Sequence, residues 1–319
     1  MHMKYLDVIL EKYQVRKTKA QKTAFLDWAQ EEIRQMGYEP YVEEYKGDLY
    51  KCRNLIVGNP EEAKVIYTAH YDTQPVMPFP NMVFPKNFLA TLGAQLPVIL
   101  IMVLLCRGVV WLAGVIGGEN HFLSFMLTEA GLLAVVFGFL ALLFYGPANK
   151  HTANDNTSGT ACLMEMMAAL SEEERKHAAF IFFDQEEKGK VGSQMFAKKY
   201  PELRKNAYIF NLDCIGDGQH MLIVAPKKTP DEELKALEDA FASPESFVTE
   251  AITAKHASYN SDQRSFKKGY ALAAMHLHPT FGLHLKRIHT KKDTICEEAN
   301  LQYAIDGCRK LLKQKAEEM

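Results

Sequence analysis

Residues 178–187 have the sequence AAFIFFDQEE, in which an unbroken apolar run ends in a cluster of acidic side chains. Residues 64–72 (KVIYTAHYD) and 207–213 (AYIFNLD) repeat this arrangement, with an apolar run that ends near His70 or Asp213. Unbroken apolar runs of this length are typical of strands buried on both faces of a parallel sheet. We therefore expect the polar residues that end the three runs to meet at one edge of the sheet.

Helical and strand-like patterns alternate along most of the chain. Apolar spacing predicts one or two helices over 3–36 and further helices at 157–170, 192–199, 230–242 (with Thr229 as N-cap) and 301–315. Strand-like runs lie at 40–44, 52–57, 64–70, 178–184, 207–213, 221–225 and 271–276. This alternation predicts an α/β fold, a three-layer sandwich with a mostly parallel central sheet.

Composition limits the partners and the compartment. The 319 residues carry a net charge of −2 at pH 7 without a basic stripe, so nucleic acid is not an expected partner. The six cysteines show no paired spacing, and we expect them to be reduced, buried thiols of a cytosolic domain. Residues 1–21 are amphipathic and charged, which argues against a signal peptide. No pattern in the sequence sets an oligomeric state.

Residues 88–145 are almost entirely apolar, and their only ionisable side chains are Arg107, Glu119, His121 and Glu129. Within them, the runs 96–116 and 122–145 each exceed the roughly 20 residues that cross a hydrocarbon core. We therefore expect a transmembrane helical hairpin that places the chain in a lipid bilayer. The alternative is a hydrophobic lid or a dimer arm.

The predicted hairpin, residues 88–146, interrupts a domain that residues 1–87 and 147–319 form together. Lys86 and Lys150 flank the hairpin, whereas its turn carries an acidic residue and no lysine or arginine. The positive-inside rule then favours a membrane protein whose larger domain lies in the cytoplasm.

Two opposite charges lie inside the predicted hairpin. Arg107 and Glu129 are about equally far from the turn, so we expect them to lie at similar depth and to pair. A lone charge at mid-membrane costs about 2.5–3.5 kcal/mol on insertion scales, which a pair would reduce. Arg107→Leu alone should then destabilise the chain more than the double substitution with Glu129→Leu.

Five short strings place metal-binding side chains where apolar runs meet loops. The strings TAHYDT, ANDNTSG, FFDQEEKG, FNLDCIG and IHTKKDT supply His70, Asp72, Asp155, Glu186, Glu187, Asp213 and His289. A carboxylate in the turn NDNTSG can bridge two metal ions roughly 3.5–4 Å apart, as two-metal hydrolases require. Adjacent glutamates diverge, so that one can bind metal while the other acts as a general base. Asp72, two residues beyond His70, suits a carboxylate that orients the imidazole.

These strings resemble the co-catalytic di-zinc aminopeptidase family, of the bacterial leucyl aminopeptidase and glutamate carboxypeptidase-like type. The resemblance runs from about residue 54 to the C-terminus, with the apolar unit as an interruption. It implies one zinc ion held by His70, Asp155 and Asp213, and a second held by Asp155, Glu187 and His289. It further implies Glu186 as general base, Asp72 as the partner of His70, and a cis peptide bond between Asp155 and Asn156. Mn²⁺ or Co²⁺ are possible substitutes in such a carboxylate-rich site.

One string departs from the family pattern. Where the family commonly has Ser-Asp-His near the substrate pocket, this chain has Ser261, Asp262 and Gln263, so substrate preference is open. Tyr259, just upstream, is a candidate to stabilise the oxyanion. The histidines of MHLHPTFGLH (His276, His278 and His284) are interpreted as hydrogen-bonded structural residues, although they could compete with His289.

The predicted function is that of a membrane-anchored zinc exopeptidase, with a peptide as substrate and an aminopeptidase as the first hypothesis. A carboxypeptidase, a dipeptidase or another amidohydrolase could use the same site. A cyclase of N-terminal glutamine has a related fold with one zinc ion, and an intact His70 favours two. A membrane-bound scaffold without activity is the alternative from another class, and it is disfavoured because every ligand and the base are present.

Overall fold

The computed structural model describes residues 2–47, 51–77, 79, 81–242 and 247–318. Its helices are α1 (Lys4–Lys12), α2 (Lys19–Gln35), α3 (Phe88–Gly117), α4 (His121–Tyr145), α5 (Gly159–Ala169), α6 (Glu172–Arg175), α7 (Val191–Lys199), α8 (Pro201–Asn206), α9 (Asp231–Ala240) and α10 (Glu298–Glu317). Its strands are β1 (Tyr41–Lys46), β2 (Lys51–Val57), β3 (Val65–His70), β4 (Ala178–Phe183), β5 (Ile209–Leu212), β6 (His220–Ala225), β7 (Val248–Thr253), β8 (Gly269–His278) and β9 (Gly282–His284).

The strands form one sheet in the order β1-β2-β4-β3-β5-β8-β6-β7, with β9 paired to β8. The four central strands, β4, β3, β5 and β8, are mutually parallel, as predicted, and antiparallel pairs join the strands on either side of them. His70 is in register with Phe183, so β3 and β4 end at the same level. The carboxyl ends of the central strands therefore share one edge of the sheet.

Burial explains why the central strands were predictable. Every residue of β3, β4 and β5 is buried, so their sequences are mostly apolar, with Thr68, His70 and Asn211 as the polar exceptions. The strand β7 was not predicted, because its sequence VTEAIT is mostly half-buried and carries a charge at the edge of the sheet. Thr229 is not the N-cap of α9: Pro230 holds that position, and no side chain caps the helix.

The two apolar helices pack side by side and leave most of their surface uncovered. α3 begins at Phe88, the first residue of the predicted hairpin and eight residues before the apolar run 96–116, and the Asn87 side chain caps it by accepting a hydrogen bond from Ala90 N. Small residues lie at the contact, since a Cβ on Gly131 would collide with Val109 and one on Gly117 with Ser124. In the two helices, only Ala113 and Gly117 are buried.

The predicted pairing of Arg107 with Glu129 is wrong. Both side chains are exposed, and no ion pair joins them in the described part of the chain. Arg107 instead lines a groove with Cys106 and Phe139. Phe139 lies ten residues beyond Glu129, which is about 15 Å further along α4.

The base of this helical pair is tied to the rest of the chain by its backbone. Val76 N donates to Pro147 O at 2.8 Å, and Pro75 and Ala148 form an isolated bridge. Just before α3, Lys86 makes a 2.5 Å ion pair with Glu250 of β7. Both ends of the helical pair therefore meet the domain that contains the sheet.

The six cysteines are free thiols, as predicted. Cys52, Cys162, Cys214 and Cys308 are buried, but Cys106 and Cys296 are partly exposed. For Cys106 the reason is its place on α3, whose surface is mostly uncovered.

Candidate metal centre

The shared sheet edge collects the predicted ligands. His70 is the last residue of β3, Asp213 directly follows β5, and Glu186 and Glu187 lie in the loop after β4. Asp155 comes from an irregular turn, Ala153–Ser158, that leads into α5. His289 belongs to the loop after β9, with its backbone in the left-handed region at a φ of 62°.

The Asp155 carboxylate lies between the two histidines. Its Oδ1 is 3.4 Å from His70 Nε2, and its Oδ2 is 2.8 Å from His289 Nε2. His70 Nε2 is also 3.6 Å from Asp213 Oδ1, and His289 Nε2 is 3.6 Å from Glu187 Oε2. One carboxylate with a separate imidazole at each oxygen is the arrangement of a bridging ligand.

The carboxylates of this cluster lack the partners that buried oxygens usually have. Glu187 Oε1 and Asp213 Oδ1 are buried without a hydrogen bond. Such orphaned acceptors are rare in folded proteins, and metal coordination would satisfy them. Ligand atoms of His70, Asp155 and Glu187 lie within 4.8 Å of one another, as do those of Asp155, Asp213 and Cys214. The imidazole and carboxylate donors therefore suit zinc.

The charge balance of the cluster also calls for a cation. Burial raises the pKa of Glu187 well above its usual range, and the nearby Asp155 carboxylate raises it further. Burial acts in the same direction on Asp155, but the neighbouring His289 and His70 hold its pKa below the usual range. For His70, burial is outweighed by the carboxylates of Asp155, Asp213 and Asp72, and the pKa is raised. Negative charge thus exceeds what the imidazoles compensate.

Asp72 organises both the first histidine and the glutamate pair. Its carboxylate accepts hydrogen bonds from Glu186 N at 2.9 Å and Glu187 N at 3.3 Å. His70 Nδ1 lies 3.6 Å from Asp72 Oδ1 and 3.2 Å from the Asp72 carbonyl oxygen. The predicted contact with the imidazole is therefore present, whereas the two backbone hydrogen bonds could not be predicted from the sequence.

A second aspartate holds the turn that carries Asp155. Asp293 accepts hydrogen bonds from Asn154 N at 2.8 Å and Asp155 N at 3.0 Å. Burial raises the pKa of Asp293 to about 8, and the charge of Asp155 contributes. The peptide bond between Asp155 and Asn156 is cis, which confirms the prediction from the family resemblance.

Sequence reasoning missed two charged residues beside the centre. Arg16 is fully buried and donates to Tyr71 O, directly after His70, and to Thr157 Oγ1. Asp262 is fully buried with neither carboxylate oxygen hydrogen-bonded, and burial raises its pKa to about 7. In the sequence, the string around Asp262 differs from the family pattern only by its missing histidine, which does not indicate a role for Asp262. Nothing in the sequence near Arg16 indicates that this side chain is buried.

The remaining candidates have structural hydrogen bonds. The Tyr259 hydroxyl donates to Asp213 O at 3.1 Å. Its proton is therefore not free to stabilise an oxyanion, which was the role predicted for it. His276 contacts Asp217 at 2.9 Å, and the His284 ring contacts His276 O. His278 accepts from backbone amides of the turn between β8 and β9. These histidines thus have the structural roles expected of them.

Comparison with known proteins decides the family. The sequence profile of peptidase family M28 matches residues 139–308, more than half of the chain. The chain belongs to this family. The matched region contains Asp155, Glu186, Glu187, Asp213 and His289, while His70 and Asp72 precede it. As an M28 protein the chain is a zinc-dependent metallopeptidase by family, and its substrate class is peptides.

Several solved structures share the fold of this M28 protein. A Zn-dependent exopeptidase from Parabacteroides distasonis has a TM-score of 0.60 at 15% identity, covering 97% of this chain and 96% of that one. A glutaminyl cyclase from Porphyromonas gingivalis has a TM-score of 0.61 at 14% identity, with coverage of 98% and 96%. A leucine aminopeptidase precursor from Bacteroides thetaiotaomicron has a TM-score of 0.55 at 15% identity, with coverage of 97% and 94%. A search of curated protein sequences finds no match. These identities establish the fold and not the reaction.

Proposed function

We propose that this M28 protein is a membrane-anchored aminopeptidase that uses two zinc ions. The observation that supports it most is the Asp155 carboxylate, with one oxygen toward His70 and the other toward His289. His70, Asp155 and Asp213 would hold one ion, and Asp155, Glu187 and His289 the other. When bound, zinc supplies Lewis acidity toward the scissile carbonyl and lowers the pKa of a water molecule.

Glu186 is the proposed general base. Its backbone N–H is held by Asp72, in the same loop as Glu187, and burial raises the pKa of its carboxyl group. A glutamate with a raised pKa takes a proton from the attacking water more readily than an ordinary one. It then passes that proton to the leaving amine, so that one side chain serves both halves of the reaction.

We propose that residues 88–146 are the membrane unit and that 1–87 and 147–319 form one discontinuous peptidase domain. The support is that α3 and α4 span 30 and 25 residues and are long and apolar enough to cross a bilayer. An uncovered apolar surface of this extent is unfavourable in water. The cations Lys86 and Lys150 flank the hairpin and Glu119 lies at its turn, which favours a cytoplasmic peptidase domain. Substrates would then be peptides reached at the membrane surface.

The experiment for the reaction is hydrolysis of free and N-acetylated peptides by the full-length chain purified in detergent. We expect cleavage that requires a free amino terminus, stops with a chelator and returns with zinc. Glu186→Gln should abolish turnover while zinc stays bound, because the side chain is not a proposed ligand. Glu232→Gln, an exposed glutamate of α9, is the matched control.

Each other outcome selects a different reaction. Metal-dependent cleavage of N-acetylated peptides would contradict the aminopeptidase and indicate a carboxypeptidase or amidase. Ammonia release from peptides with N-terminal glutamine, without hydrolysis, would indicate a cyclase. A chain that binds zinc and turns over none of these substrates would support the scaffold alternative.

A further inference from the structure

A cavity of about 810 Å³ lies where α4 meets the peptidase domain. Phe139, Leu142 and Leu143 of α4 contribute apolar side chains to it. Further apolar side chains come from residues that precede α3, namely Val76, Met77, Phe79 and Met82. Its size is within the range of ligand pockets, and one wall is continuous with the uncovered surface of a proposed membrane helix.

The other lining residues of this cavity are strongly cationic. Lys286, Arg287, Lys291 and Lys292 all line it, and none of its described lining residues is acidic. Arg287 makes a bidentate ion pair with Asp217, so its charge is already compensated. In the described part of the chain, the three lysines make no ion pair. The cavity therefore combines an apolar wall with uncompensated positive charge.

We propose that this cavity binds one anionic phospholipid, with an acyl chain against α4 and the phosphate beside the three lysines. The proposal rests on the proposed membrane insertion, because the lipid would enter from the bilayer along α4. Free phosphate would leave the apolar wall without a contact, and a neutral lipid would leave the charges of the lysines uncompensated. Cationic clusters next to a membrane helix are a usual means of binding acidic lipids.

The bound lipid would contact the loop that carries His289. Met77 lines the cavity and donates its backbone N–H to His289 O at 2.7 Å. Asn81 also lines it, and its amide is 3.1 Å from His289 Nδ1. Met77 and Asn81 therefore connect the proposed lipid site directly to His289 of the candidate metal centre.

The test is lipid retention by the full-length chain, measured by native mass spectrometry after incubation with equal amounts of phosphatidylglycerol and phosphatidylcholine. We expect the wild type to retain phosphatidylglycerol about tenfold better. The triple variant Lys286→Gln, Lys291→Gln, Lys292→Gln should retain both lipids equally. A matched triple variant, Lys198→Gln, Lys205→Gln, Lys235→Gln, changes exposed lysines elsewhere and should behave as the wild type.

The apolar wall is tested separately on one helix. Leu143→Trp fills the cavity and should lower phosphatidylglycerol retention several-fold, whereas Leu140→Trp, which does not line the cavity, should leave it unchanged. Glycerol phosphate without acyl chains should not displace the lipid. Unchanged selectivity in the lysine variant, equal effects of the two tryptophans, or full displacement by glycerol phosphate would each overturn the proposal.

Flotation of the wild type with vesicles separates this inference from the membrane proposal. A chain that floats but retains both lipids equally contradicts the lipid site alone. A chain that does not float contradicts the membrane anchor, and the lipid site with it.

Discussion

Asp72 shows how much one side chain can position. It sits beside His70, and its two carboxylate oxygens accept the backbone N–H groups of Glu186 and Glu187. The positions of two proposed ligands, His70 and Glu187, and of the proposed base, Glu186, thus depend on this one carboxylate. Groups that support metal ligands in this way usually matter nearly as much as the ligands.

We predict that Asp72→Asn lowers zinc affinity roughly 10- to 100-fold, the usual cost of losing such a supporting contact. Asparagine keeps one acceptor oxygen, but its amide nitrogen cannot accept the second backbone hydrogen bond. Zinc retention against a competing chelator measures the effect. Asp239→Asn, an exposed aspartate of α9, is the control, and equal affinity of the two variants would contradict the assignment.

Glu165 of α5 gives a prediction on pH. It accepts a hydrogen bond from Tyr5 N at 2.6 Å, and burial raises its pKa above the ordinary value of 4.5. The charged form is then less favourable in the folded chain than in the unfolded one. Stability from this group is present below pH 4.5 and is lost as the pH rises through the folded pKa.

Glu165→Gln should therefore raise the melting temperature at about pH 8, and the gain should shrink toward about pH 4. The amide oxygen still accepts from Tyr5 N, so packing of α1 on α5 is kept. Thermal unfolding at several pH values measures the difference, with the exposed Glu232→Gln as control. A gain that is independent of pH would contradict the titration of Glu165.

At the scale of single residues, the sequence located the proposed ligands better than the residues that support them. His70, Asp155, Glu187, Asp213 and His289 are brought together as predicted, because strand ends and loops next to apolar runs mark them. Arg16 and Asp262 could not be assigned, because their burial depends on packing between distant segments. Tyr259 was misjudged, since the partner of a hydroxyl is a tertiary property.

Among the elements, α2 is joined to the end of β4 by a buried ion pair. Lys22 Nζ lies 2.5 Å from Asp184 Oδ1, and both side chains are nearly inaccessible. Asp184 also accepts from Arg53 N at 3.0 Å and lies two residues before Glu186. Removing one partner of such a pair leaves an uncompensated buried charge.

Lys22→Met is expected to lower the free energy of unfolding by about 3–5 kcal/mol. The double variant with Asp184→Asn should recover part of this loss, because no buried charge then lacks a partner. Chemical denaturation measures both, and Lys19→Met, exposed on the same helix, is the control. Equal stability of the single and double variants would show that the ion pair does not carry the effect.

For the helical pair, the structure contradicts the predicted pairing of Arg107 with Glu129. Arg107 lines a groove with Cys106 and Phe139, and in the described part of the chain it makes no ion pair with Glu129. Arg107→Leu and Glu129→Leu should thus change stability additively, within about 0.3–0.5 kcal/mol, as independent sites do. A double-mutant cycle in detergent measures this, and a coupling energy above about 1 kcal/mol would restore the pair.

In the molecule as a whole, the hydrophobic core is separate from the two apolar helices α3 and α4. The core clusters lie around the sheet and draw no described member from 88–145. The ends of the helical pair are joined at the base by Val76 and Pro147. The larger domain therefore does not depend on α3 and α4 for its packing.

We predict that replacing 88–145 with a short linker gives a folded, soluble chain that no longer floats with vesicles. Its activity on soluble peptides should persist, because the proposed ligands lie outside the deleted segment. Activity on membrane-associated peptides should fall. Equal activity of the full-length and shortened chains on membrane-associated peptides would contradict the proposed role of the membrane.

The sheet order could not be predicted from the sequence. Alternating patterns indicated an α/β fold, and apolar runs located β3, β4 and β5. Nothing local, however, places β3 between β4 and β5 or turns β6 antiparallel to β8. Those choices depend on crossover connections and on packing across the whole sheet.

The position of the helical pair between His70 and Asp155 also sets an order of events during synthesis. A chain that enters the bilayer while still on the ribosome has exposed only one of its five proposed ligands when α4 is complete. At about 5–20 residues per second, the ribosome needs on the order of ten seconds more to reach His289. In the proposed membrane-anchored enzyme, insertion into the bilayer would thus precede assembly of the metal centre, and the chain would stay inactive until it is anchored at the membrane.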